Sequence, residues 1–198
     1  MAKDTVVIRL IVGLGNPGAE YEHTRHNVGV DFLYRLAEKY KVGLMPESKF
    51  SGISGRGTIN GNDVRLLFPT TYMNESGRSV GAICNFYKIK PEEIIVCHDD
   101  LDLPAGHMKF KFAGGLAGHN GLRSITANLS NSQNYYRLRF GIGKPPSKEV
   151  ISWVLGRPDS HDAKMIEDAY ETALMGIERL FSDGVSKATA LINGFKPN

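Results

Sequence analysis

His26 stands in the stretch Thr24-Arg25-His26-Asn27-Val28-Gly29, where a polar loop gives way to apolar residues at helical spacing. Imidazole is the side chain best matched to proton transfer near neutral pH. A histidine at such a junction is either a surface or capping residue or a general base. To act as a base it needs a carboxylate that fixes its tautomer and orientation. Asp99 and Asp100 follow the apolar run Ile94-Ile95-Val96-Cys97-His98, which ends where a sheet edge can hold a side chain rigidly. One of the two can reach His26 in space.

Asparagine adds a neutral donor and acceptor, suited to orienting water or a carbonyl without charging the site. Asn16 lies in a glycine-rich loop, and Asn74 lies in FPTTYMNESG between an apolar run and a helix start. Each also has an ordinary turn or cap reading. Tyr21, Tyr72 and Met73 are placed to line an apolar pocket beside them, or simply to fill core.

Those residues need a scaffold. The spacing of Val28, Phe32, Leu33, Leu36, Ala37 and Tyr40 predicts a helix over 28–41, with Asn27 as its N-cap. Further helices are expected over 76–87, 119–129 and 161–181, and a shorter one after Gly184. Strands are expected over 6–12, read as buried, over 64–68, ended by Pro69, and over 94–98, short and apolar. The segments 107–112 and 136–141 alternate apolar residues with Lys109 and Lys111, and with Arg137 and Arg139. That alternation predicts half-buried strands with a basic face. Strands alternating with helices, some of them half-buried, predict a single α/β domain over 1–198, built on a twisted mixed sheet flanked by helices.

Composition narrows the class. Of 198 residues, 41% are hydrophobic, enough for a core without staples. Cys84 and Cys97 are far apart and outside any CxxC pair, so neither a zinc knuckle nor a disulfide framework is expected. The apolar run near the N-terminus is short and broken by Arg9, and no signal-peptide pattern follows it. A reducing, cytoplasmic setting is the expectation. The formal charge of +3 is unevenly spread: residues 1–100 balance, 101–160 carry a net +5, and 161–198 a net −2. A basic middle segment, with Lys109, Lys111, Arg123, Arg137, Arg139, Lys144 and Lys148, favours an anionic ligand such as a nucleic acid backbone.

Gly13-Leu14-Gly15-Asn16-Pro17-Gly18 matches the dinucleotide-binding fingerprint GxGxxG. The fingerprint needs a helix that opens at the glycines. Here Pro17 and Gly18 interrupt that start, and helical periodicity begins only near Val28. Residues 13–26 read better as a long loop at a strand's carboxyl end, and nicotinamide binding is a minor alternative. No GxxxxGK[ST] loop is present.

Taken in order, GLGNPGAEYEHTRHNVG at 13–29, FPTTYMNESG at 68–77, HDDLDLPAGHMKFKFAGGLAGHNGLRSI at 98–125, RLRFGIGKP at 137–145 and VLGRP at 154–158 resemble the bacterial peptidyl-tRNA hydrolase family. The resemblance implies hydrolysis of the ester between a peptide and the 3′-terminal ribose of tRNA, by a monomer with no metal and no organic cofactor. It places the family's catalytic histidine on His26, its carboxylate partner on Asp99, and its active-site asparagines on Asn16, Asn74 and Asn120. The family's aromatic and Met wall beside the peptide falls on Tyr21 and Met73, with Tyr72 next to them in the chain. The tRNA contacts fall on Lys111 and Arg139, with Lys148 beside them and Lys109 and Lys144 in the same basic segment. The chain departs from the family at Leu116, often a more polar residue, at Ala117, often glycine, and at Asp100, often glutamate. A noncatalytic tRNA-binding protein and a general esterase are the rival classes. Arg25 is expected to form a structural salt bridge.

Overall fold

The computed structural model describes residues 4–198; residues 1–3 of the expected 1–198 domain lie outside the described part. Seven strands form one sheet: β1 (Leu10–Gly13), β2 (Met45–Glu47), β3 (Gly52–Ile59), β4 (Asn62–Pro69), β5 (Ile94–Asp100), β6 (Met108–Phe112) and β7 (Tyr136–Gly141). Their order is β2-β3-β4-β1-β5-β7-β6. The central strands β4, β1, β5 and β7 run parallel, while β2, β3 and β6 join antiparallel. The sheet is therefore mixed, as the alternation pattern predicts.

Six α-helices cover it: α1 (Val28–Lys39), α2 (Ser76–Tyr87), α3 (Asn120–Asn128), α4 (Val150–Val154), α5 (Ser160–Asp183) and α6 (Val185–Asn193). Strand alternation divides the core into two layers. On one face Phe32, Leu33 and Leu36 of α1 and Tyr170, Ala173 and Ile177 of α5 pack with Ile11, Ile95, Leu138 and Phe140. On the other, Val80 and Ile83 of α2 and Leu122 and Ile125 of α3 pack with Leu10, Val12 and Val96.

Three sequence expectations need correction. The run at 6–12 is a strand only from Leu10, and Val7 is 65% exposed, because the neighbours β4 and β5 begin their pairing with β1 at Leu10. The glycine-rich β3 was not expected at all. It pairs with β4 through an Asn60-Gly61 turn, both residues at positive φ, the hairpin geometry that this dipeptide favours. Arg137 was expected on an exposed basic face, yet it is 3% exposed, with its guanidinium donating to the carbonyls of Gly115 and Gln133. The segment 113–117, between β6 and α3, lies over this part of the sheet, and its Gly115 carbonyl takes the guanidinium.

Two glycines bring α1 down onto the sheet. A Cβ on Gly29 would lie 2.2 Å from the Cys97 carbonyl oxygen, and one on Gly13 would lie 2.7 Å from the Gly29 carbonyl oxygen. Backbone bonds Leu14 N–H to Cys97 O (3.0 Å) and Val30 N–H to Leu14 O (3.1 Å) complete the junction. The first turn of α1 is thereby fixed against the end of β5.

Candidate active site

The residues before α1 form a short 3₁₀ turn, Arg25–Asn27, in which each side chain locks a different element. Arg25 points into the segment that carries α4. His26 meets the end of β5. Asn27 meets the glycine-rich loop after β1, where Oδ1 accepts from the Asn16 N–H at 2.9 Å and Nδ2 donates to the Asn16 carbonyl at 3.0 Å. The expected N-cap role of Asn27 is thus corrected: its side chain makes no capping bond and is spent on the loop.

His26 Nδ1 lies 2.9 Å from Asp99 Oδ2. The second oxygen, Oδ1, lies 2.8 Å from Nε2 of His119. Asp99, 3% exposed, therefore bridges an imidazole from the α1 layer and one from the N-cap of α3. Burial alone lowers the pKa of His26, but the charge and hydrogen bond of Asp99 outweigh it and leave the pKa raised. For Asp99, burial raises the carboxyl pKa, yet the two imidazoles overcome this and hold it well below the usual range. An Asp-ordered Nδ1 leaves the opposite ring nitrogen, Nε2, free to take a proton from water.

His119 is the residue that sequence reasoning missed. Its Nδ1 accepts from the Gly121 N–H at 3.1 Å and, more weakly, from Leu122 at 3.4 Å, capping α3 while Nε2 serves Asp99. The signal was present: His119 stands immediately before Asn120-Gly121 at a helix start. His98 packs edge-on to His119, ring centroids 5.0 Å apart. Burial pushes its pKa down to about 3, so it is neutral.

The asparagines are disposed unequally. Asn16 is buried, and its Oδ1 accepts from the Met73 N–H at 2.8 Å, tying the glycine-rich loop to the turn Met73–Glu75. Met73 is 5% exposed, and its sulfur would meet a Cβ on Gly121 at 2.8 Å, so Met73 and the start of α3 are in contact. Asn74 and Asn120 are exposed beside these buried partners, and Asn120 engages only Arg123, at 3.3 Å. Tyr72 is 58% exposed and Tyr21 half-buried on the 3₁₀ turn Ala19–Tyr21. That turn is the only helical structure directly after Gly13–Gly18, which removes the geometry a dinucleotide site requires.

The basic residues of β6 and β7 share one face. Lys109 and Lys111 of β6 are exposed in register with Arg139 and Arg137 of β7. A cavity of about 260 Å³ is lined by His98, Lys111, Arg137 and Arg139 beneath residues 113–117. Arg139 is not a free cation: its Nε donates to Asp100 Oδ2 at 2.6 Å. Lys144 reaches Asp102 at 3.4 Å in an exposed pair, and Lys148 is exposed. Ala117 adopts φ 51°, a left-handed backbone that costs a non-glycine residue about 1 kcal/mol.

His26, Asp99 and His119 are also the one group of side chains, among the described residues, spaced to share a metal ion. Both Asp99 oxygens already meet an imidazole nitrogen directly at hydrogen-bond distance, and a shared ion would have to break both bonds. No helix among the described residues is long and apolar enough to cross a membrane.

The family model described as peptidyl-tRNA hydrolase matches residues 10–198. A peptidyl-tRNA hydrolase of Haemophilus influenzae (strain PittGG) is 52% identical over 190 residues, covering 96% of this chain and 98% of its own. One of Pasteurella multocida is also 52% identical, with the same coverage. The crystal structure of peptidyl-tRNA hydrolase from Acinetobacter baumannii superposes with a TM-score of 0.93 at 48% identity, covering 98% of each chain. With a full-length match in sequence and in fold, the chain belongs to the bacterial peptidyl-tRNA hydrolase family.

Proposed function

We propose that this chain hydrolyses the ester joining a peptide to the 3′-terminal ribose of tRNA, and so returns tRNA from prematurely released peptidyl-tRNA. The observation that carries the reading is the 2.9 Å contact between His26 and buried Asp99 in a chain of this family. His26 takes a proton from water as the water attacks the ester carbonyl; the ester C–O bond then breaks, and the ribose oxygen leaves as a hydroxyl with the proton that His26 gives back. Asp99 orients the ring and stabilises it while charged. Asn74 and Asn120, exposed at the mouth of the site, contact the substrate carbonyl and the attacking water. Asn16 holds Met73, and Met73, Tyr72 and Tyr21 line the way for the peptide. Lys109, Lys111, Arg139, Lys144 and Lys148 hold the acceptor arm through phosphates, which gives salt-sensitive binding without sequence preference. The whole of 1–198 acts as one domain, as a cytoplasmic monomer, with neither metal nor organic cofactor.

The test is peptide release from an N-blocked aminoacyl-tRNA, with the free aminoacyl-tRNA as control. The wild-type chain cleaves the first and spares the second. His26→Ala folds normally and loses about 10²- to 10⁴-fold in kcat, the range general-base catalysis contributes. Near-normal turnover in that variant sinks the assignment.

A further inference from the structure

Arg25 has no carboxylate within ion-pair distance among the described residues, which corrects the expected salt bridge. It is nevertheless 7% exposed and adjoins His26. Its guanidinium carbon lies 3.4 Å from the centroid of the Trp153 ring, and Nη1 donates to the Trp153 carbonyl at 3.0 Å. Its backbone N–H donates to the Gly156 carbonyl at 2.9 Å, and Arg157 Nε donates back to the Glu22 carbonyl at 3.1 Å. A Cβ on Gly156 would lie 3.1 Å from Arg25 Nη1, so the strap passes close at that point. Trp153 in turn closes the strap on itself, its indole N–H donating to the Gly143 carbonyl at 2.9 Å. Residues 143–153 thus form a loop pinned at its base. It exposes Lys148 and Ile151, the latter 76% exposed.

We infer that Arg25 is a positioning residue for the hydrolytic centre: stacked on Trp153, it clasps the 143–157 strap to the 3₁₀ turn whose next side chain is His26. The turn has only three residues, and its other two side chains are committed to Asp99 and to Asn16. Its remaining lateral restraint is Arg25. A buried arginine with no ion-pair partner is costly to desolvate; stacking on Trp153, one carbonyl acceptor and the more distant charges of Asp162 and Asp159 offset that cost here, while its Nε stays without a partner. Lysine supplies neither the plane nor the fork of donors. Releasing the clasp frees the turn on the side away from Asp99. A displacement on the order of 1 Å in a catalytic group costs about 100-fold in rate.

This inference rests on the hydrolase reading of His26 and Asp99, and the experiment separates the two. Trp153 is the only tryptophan in the sequence, so its fluorescence reports the clasp without reference to activity. In Arg25→Met, acrylamide should quench Trp153 more strongly than in wild type. The same variant should lose about 10- to 100-fold in kcat for N-blocked aminoacyl-tRNA. KM should change far less, and Arg25→Lys should not restore the rate. Trp153→Leu removes the stack from the strap side and should show the same kcat loss, even if Arg25→Met folds poorly. The double variant should be no slower than either single one, the signature of coupled residues. Single losses that multiply in the double variant, a loss confined to KM, or unchanged quenching would each overturn the clasp. A wild-type chain that releases no peptide would overturn the hydrolase reading beneath it.

Discussion

Asn27 grips the backbone of Asn16 from both sides, accepting from its N–H and donating to its carbonyl, although the two are 11 residues apart in sequence. The pair makes one rigid body of the glycine-rich loop and the turn that carries His26. Asn27→Ala leaves two buried backbone groups unpaired. Each such group costs about 1–3 kcal/mol, so a clear fall in melting temperature is expected. Peptide release should fall as well, because Asn16 also positions Met73. Full activity at unchanged stability would show that the loop is held without this pair.

The His26–Asp99 pair sets the pH response. With the pKa of His26 raised, the neutral base is lost already above the ordinary imidazole value of about 6.5, and kcat should rise with pH through that raised value. In Asp99→Asn the charge is gone and burial remains, so the acid limb should move to lower pH while kcat drops by up to about 10⁴-fold. A limb that stays in place contradicts the assignment.

Stability follows from the same shifts with opposite signs. His26, raised in the folded state, contributes fully below about pH 6.5 and loses its contribution as pH rises through its folded value. Asp99, depressed, contributes above about pH 3.9 and loses it on acidification toward its folded value. The melting-temperature difference between wild type and Asp99→Asn should therefore be widest between about pH 4 and 6.5.

The basic residues should divide into two kinds. Lys111→Ala removes an exposed cation; KM for the tRNA substrate should rise, and the salt slope should shallow by about one phosphate contact. Arg139→Ala also leaves Asp100, whose side chain is 3% exposed, with only the Asp102 N–H, and loss of one partner of a buried pair costs about 3–5 kcal/mol. Its thermal melt should fall where that of Lys111→Ala does not. Equal melts would mean that Asp100 finds water or another partner.

Dialysis against a chelator tests the His26–Asp99–His119 cluster directly. Because its ligand atoms already bond one another, the rate of peptide release should survive. A rate abolished by chelation and restored by a divalent ion would reassign the cluster as a metal site.

Much of this was legible because local rules and tertiary demands agreed. The helix over 76–87 and the strand over 136–141 appear with the expected ends. The failures have local causes. Glycines in β3 hid a strand whose clearest mark was its Asn60-Gly61 turn. Asn27 looked like a cap because capping is what asparagine does at a helix start in isolation; the Asn16 backbone outbid it. Arg137 and Arg139 looked alike by alternation, but the segment around Gly115 covers one and Asp100 pairs with the other. His119 and Arg25 act through partners 20 and 128 residues away, and no spacing rule reports such contacts.

Neighbouring residues of β5 serve different clients. Asp99 answers to loops that arrive from α1 and α3, while Asp100 answers to Arg139 one strand over. The His26–Asp99–His119 cluster is thus held by loop contacts and the Asp100–Arg139 pair by strand phase. A change in the loops that meet Asp99 bears on the two imidazoles and leaves the Asp100–Arg139 pair in place. A single-residue slip of β7 against β5 would do the reverse, turning Arg139 inward and sending Phe140 to the face that Arg139 now occupies. The imidazole contacts and the strand pair are set by different parts of the fold, although the two aspartates that mark them are joined by one peptide bond.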